Sequence, residues 1–75
     1  MLAIRESLCD RLRHSRKSAG LTQKQLEHLS GVLQNTISRI EAGAFAEIST
    51  GTLTKLALAL EVSTDYLLGL KDEPD

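Results

Sequence analysis

Cysteine is nearly absent from this chain: Cys9 is the only one in 75 residues. A lone thiol forms no intramolecular disulfide and completes no cysteine-rich zinc pattern, so Cys9 is expected to pack as a small hydrophobe on the first helix. His14 and His28 stand at no ligand spacing from each other or from Cys9. No metal or other cofactor is therefore expected. Aromatic residues are equally scarce, with Phe45 and Tyr66 alone. No apolar run approaches ~18 residues and no charged leader precedes an apolar segment, so the expectation is a cytoplasmic protein with neither membrane span nor signal peptide. Also missing are a glycine-rich phosphate loop, strand alternation and any Ser-His-Asp or Cys-His arrangement. A small helical chain leaves little room for a closed pocket, and an enzyme is not expected.

The length fits a single domain over residues 1–75, burying only ~60% of the surface its unfolded chain exposes. Its stability should be modest. Hydrophobic content of 41% with 25% charged residues is ordinary for a soluble globular protein. Charge is unevenly placed. Residues 1–41 carry seven basic side chains against four acidic ones, whereas residues 42–75 carry two against six. If the partner is nucleic acid, so modest a basic half predicts weak non-specific affinity and reliance on specific contacts and dimerisation.

What is present is organised around Thr22 to Gly43, TQKQLEHLSGVLQNTISRIEAG. It reads as two short helices joined by a tight turn. Thr22 followed by Gln25 matches the capping box, in which hydroxyl and amide each satisfy the other residue's backbone N–H. Leu26 and Leu29 are expected on one face, and Gly31 allows the left-handed turn. The second helix, from about Leu33 to Glu41, ends near Gly43. Leu33, Ile37 and Ile40 read as its inward stripe. Gln34, Asn35, Ser38 and Arg39 are left facing outward. A solvated face usually alternates Glu and Lys; this one carries the amides, hydroxyl and guanidinium that pair with base edges in the major groove.

Before this stretch, Ile4, Leu8 and Leu12 recur at helical spacing, predicting a first helix over about residues 3–18. Its other face bears Arg5, Arg13, Arg16 and Lys17. The last three also suit the negative end of the helix dipole. After it, Ser49 or Thr50 caps a fourth helix with Leu53, Leu56, Ala57 and Leu60 inward, and Ser63 caps a fifth that ends at Gly69. Phe45, in the loop 44–49, is expected to anchor in the core. The acidic tail, Lys71 to Asp75, is expected to fray.

The combination L-T-Q-x-x-L, G-V and I-S-R-I-E-x-G resembles the helix-turn-helix of the Cro and lambda-repressor-like, or XRE, family, and the likeness covers roughly residues 5–70. It implies an all-α, five-helix DNA-binding domain with a central helix-turn-helix at about 22–43. It implies DNA contacts from Thr22, Gln23 and Lys24 at the start of the second helix, and from Gln34, Asn35, Thr36, Ser38 and Arg39 on the recognition helix. Arg16 would pair with Glu41 and point toward the DNA backbone. Val62, Thr64 and Tyr66 would lie at a homodimer interface, against ordinary core packing for Tyr66. Two departures stand out. Leu33 replaces the usual Ser or Thr N-cap, costing ~1 kcal/mol, and packs inward, onto a partner protein, or against a thymine methyl. The loop 44–49 is one residue longer than usual and acidic where relatives are basic. The resemblance implies a regulator, a repressor by expectation, binding double-stranded DNA at a near-palindromic operator. The departures leave open an antitoxin-like protein-interaction module or the DNA-binding part of a longer regulator.

Overall fold

The computed structural model describes residues 4–74, with side chains from Ser7 onward. The expected start near residue 3, the Ile4 and Arg5 side chains and the terminal Asp75 lie outside the described residues. Five helices follow in order: α1 Ile4–Ser18, α2 Gln23–Ser30, α3 Gln34–Glu41, α4 Thr50–Leu60 and α5 Thr64–Leu67. Among the described residues there is no strand. α3 packs on α1 and α2, α4 on α2 and α5, and α5 also on α1.

One cluster joins all five: Leu8 and Leu12, Leu26, Val32, Ile37 and Ile40, the four inward residues of α4, and Leu67. Their spacing along each helix sets a single apolar stripe, and burial of that stripe holds short helices that would not persist alone. Phe45, Ile48, Val62, Tyr66 and Leu68 pack against its edge. Phe45 is thus anchored in the core's margin.

The helix ends follow local chemistry. The Thr22 hydroxyl accepts from Gln25 N at 3.0 Å and the Gln25 side chain accepts from Thr22 N at 2.8 Å. Ser49 and Ser63 accept from Thr52 N and Tyr66 N, both at 3.0 Å. Gly31, with φ of 78°, turns the chain from α2 toward α3. Glu61 ends α4 in the same left-handed region, at φ 57°, although it carries a side chain.

Two expectations are corrected. Leu29 is exposed while Leu26 is fully buried. The Ser30 hydroxyl donates to Leu26 O and accepts from Val32 N, and Val32, just past the turn, is buried in the core. Leu33 is 63% exposed and does not join Ile37 and Ile40. It sits at the N-cap with φ −58° and ψ 141°, outside the helical backbone, so the helical period does not extend to it. Residues 71–74, expected to fray, make contacts with the body of the fold. Arg11 donates to the Lys71 carbonyl, and the Pro74 carbonyl accepts from Ser63 N, folding the segment back on α1 and the start of α5.

Candidate nucleic-acid interface

α3 is fixed from behind by a buried polar cluster. The Glu41 carboxylate, in a residue 4% exposed, accepts from Arg16 Nε at 2.7 Å and from a terminal Arg16 nitrogen at 2.9 Å. The other terminal nitrogen donates to Leu21 O at 2.8 Å. This two-pronged geometry is the strong form of a charge-assisted pair. The hydrogen bonds it donates to Glu41 raise the Arg16 guanidinium above its usual pKa; burial opposes them and the carboxylate's charge adds to them. Arg16 therefore stays charged although nearly withdrawn from solvent. Gln23 Nε2 reaches the same carboxylate at 3.2 Å, so α1, α2 and α3 meet at Glu41.

The last turn of α3 has a second tie to α1. The Glu41 carbonyl, one of the acceptors a helix end leaves unmatched, accepts from Arg13 at 3.1 Å and from the Cys9 thiol. Arg13 also pairs with Asp10 at 2.9 Å. Cys9 and Arg13 were legible only as a core residue and a basic one; their role at the α3 terminus depends on how the helices cross.

With its C-terminal end held, α3 turns Gln34, Asn35, Ser38 and Arg39 outward, all exposed, with Thr36 half-buried between them. The exposed residues divide between two flanks. Gln34, Asn35 and Ser38 line an open groove with Leu33, Gln23, Lys24 and Glu27. Thr36 and Arg39 line a narrower cleft with Phe45, Ile48, Ser49 and the acidic Glu47. The sequence gives the outward set but not this division, because it is the position of the 44–49 loop that creates the second flank.

At the start of α2, Thr22 is engaged in the capping box and Lys24 pairs with Glu27 at 3.2 Å. Lys24 keeps an exposed side chain, whereas Gln23 is half-buried and turned to Glu41. Arg16 is brought to the cluster behind α3, with only 11% of its side chain exposed, which leaves little of it on the outer face.

On the far side, Val62, Thr64 and Tyr66 are each half-buried. Val62 and Tyr66 line a groove with His14, Ser15, Ser18, Leu60 and Pro74. The Arg11 guanidinium lies over the Tyr66 ring, 4.5 Å from its centre, and donates to Tyr66 O at 2.9 Å. Among the described residues, no group of three His, Cys, Asp or Glu side chains is placed to hold a metal ion. No described helix is long and apolar enough to cross a membrane.

Comparison with known proteins places this geometry in context. The HTH-type transcriptional regulator ImmR of Bacillus subtilis is 43% identical over 67 residues, covering 89% of this chain and 51% of that protein. An uncharacterized HTH-type transcriptional regulator of the same organism, YobD, is 39% identical over 67 residues, covering 89% and 59%. A third, from Haemophilus influenzae, is 52% identical over 40 residues, 53% of this chain and 41% of its own. The chain thus spans only about half the length of these relatives. No solved structure matches it. A helix-turn-helix family model matches residues 12–67, from the middle of α1 through α5. The chain belongs to the XRE family of helix-turn-helix proteins, the Cro and lambda-repressor type.

Proposed function

We propose that the chain is a sequence-specific DNA-binding transcriptional regulator that reads the major groove with the outer face of α3. The observation that carries this reading is the exposed row of Gln34, Asn35, Ser38 and Arg39 on a helix held rigidly at Glu41. Amides pair with adenine and guanidinium with guanine. The HTH-type regulators related to the chain support the same assignment. Thr36, Lys24 and the start of α2 at Thr22 and Gln23 contact phosphate, where the helix dipole favours an anion. Arg16 acts by positioning, holding Glu41 and through it both helices.

The chain binds a near-palindromic operator as a homodimer, joined through Val62, Thr64 and Tyr66, with its two recognition helices ~34 Å apart. It works in the cytoplasm, and covering a promoter makes it a repressor. The second reading, an antitoxin or other protein-interaction module, would gain from a free apolar patch around Phe45. That ring is packed against the core margin, so the regulator is preferred.

The test is selection of bound duplexes from a random DNA pool by the wild type and by the double variant Gln34→Ala, Arg39→Ala. An inverted repeat with half-sites about one helical turn apart, lost in the variant, supports the reading. Absence of enrichment at low salt refutes it.

A further inference from the structure

Leu33 breaks two rules at once. It occupies an N-cap where Ser, Thr, Asn or Asp would accept a backbone N–H, and it makes no such bond. It also leaves a leucine 63% exposed, one residue before the reading row. Burial would have explained the substitution, but the backbone at Leu33 turns its side chain out of the core. It turns it into the groove shared with Gln34, Asn35 and Ser38.

We infer that Leu33 is a specificity-determining residue that packs against the 5-methyl group of a thymine in the operator. This rests on the reading that α3 enters the major groove. In that arrangement the N-terminal residues of the recognition helix meet the base edges, and Leu33 lies immediately before them. The major-groove edges offer polar atoms everywhere except at the thymine C5-methyl, which is the apolar feature a leucine can cover. Leu33 then adds recognition of the methyl group itself, which Gln34 and Asn35, as hydrogen-bonding groups, do not supply.

The experiment uses the best duplex recovered from the random pool, with each thymine replaced in turn by deoxyuridine, which removes only the methyl group. For the wild type, one replacement per half-site weakens binding about fourfold, from ~0.8 kcal/mol per buried methyl-sized group. Leu33→Ser binds the thymine and deoxyuridine duplexes alike. The same variant gains an N-cap, so its unfolding midpoint rises by a few degrees while its affinity falls; a merely structural leucine would not give opposite signs. Leu58→Ser, at an exposed position on α4, keeps the wild-type sensitivity. Insensitivity of the wild type to every single replacement, or sensitivity retained in Leu33→Ser, overturns the inference and leaves the regulator reading standing. Failure to recover any duplex removes both.

Discussion

Removing the Glu41 carboxylate is the most informative single change in the fold. In Glu41→Ala, Arg16 keeps its charge but loses both carboxylate bonds, and Gln23 loses its partner. The side chains of the pair are 11% and 5% exposed, so solvent screens it little. Breaking a buried pair by deleting one partner costs about 3–5 kcal/mol, mostly from stranding the remaining charge. A 75-residue domain has ~4–11 kcal/mol in total at 0.05–0.15 kcal/mol per residue. The variant should therefore lose a large part of its stability, lowering Tm by ~12 °C or more. Circular dichroism during thermal and urea unfolding measures this. A double cycle with Arg16→Met separates the pair from its surroundings, and the doubly substituted chain should recover much of the loss because no charge is left unpaired. A loss below ~1 kcal/mol in Glu41→Ala, or additive effects in the cycle, would refute the view that this pair holds α3. The sign for pH is also set. The raised pKa of Arg16 means that its contribution is complete below the unfolded-state value and is lost only as pH rises through the folded one. Both lie above the ordinary working range, so the arginine side of the pair gives no slope between about pH 6 and 10.

Two backbone positions yield further predictions. Glu61→Gly relieves a left-handed conformation at the end of α4 and should stabilise the chain by about 1 kcal/mol, read as a higher urea midpoint. Gly69→Ala should cost more than ~2 kcal/mol in the same assay, since φ is 82° and an added Cβ would lie 2.6 Å from the Ser7 hydroxyl oxygen.

Much of this architecture was readable because its signals are local. The capping box at Thr22 and Gln25, the serine caps at Ser49 and Ser63 and the turn at Gly31 each depend on residues within three or four positions. Their geometry in the fold agrees with that chemistry. The inward residues of α4 were equally plain, since an eleven-residue helix shows its period clearly. Errors arose where an element ended. Leu29 and Leu33 were placed by helical period, but one lies beside a turn that carries Val32 into the core and the other sits outside helical backbone. The Glu41 carbonyl's partners on α1 and the tail's return to Arg11 and Ser63 are contacts between distant residues, and periodicity carries no information about them.

The misplaced leucine and the left-handed glutamate point to a common logic. A sequence that specifies one fold satisfies capping, burial and backbone preference together, and its local violations concentrate where another demand competes. Among the described residues, two such violations are Leu33, which is uncapped and, like Leu29, Leu58 and Leu70, exposed, and Glu61, a non-glycine residue at positive φ. Leu33 opens the proposed reading helix, and Glu61 directly precedes Val62 of the proposed dimer surface. The opposite end of α3 violates nothing, with its carbonyl, carboxylate and neighbouring guanidinium all matched. The recognition helix is consequently anchored at its C-terminus and left unsatisfied at its N-terminus, the end that would enter DNA. Replacing Leu33 by a capping residue would make the free protein more consistent with its fold and a poorer reader, and the same logic makes Glu61→Gly a stabilising change whose effect on dimerisation is worth measuring alongside its urea midpoint.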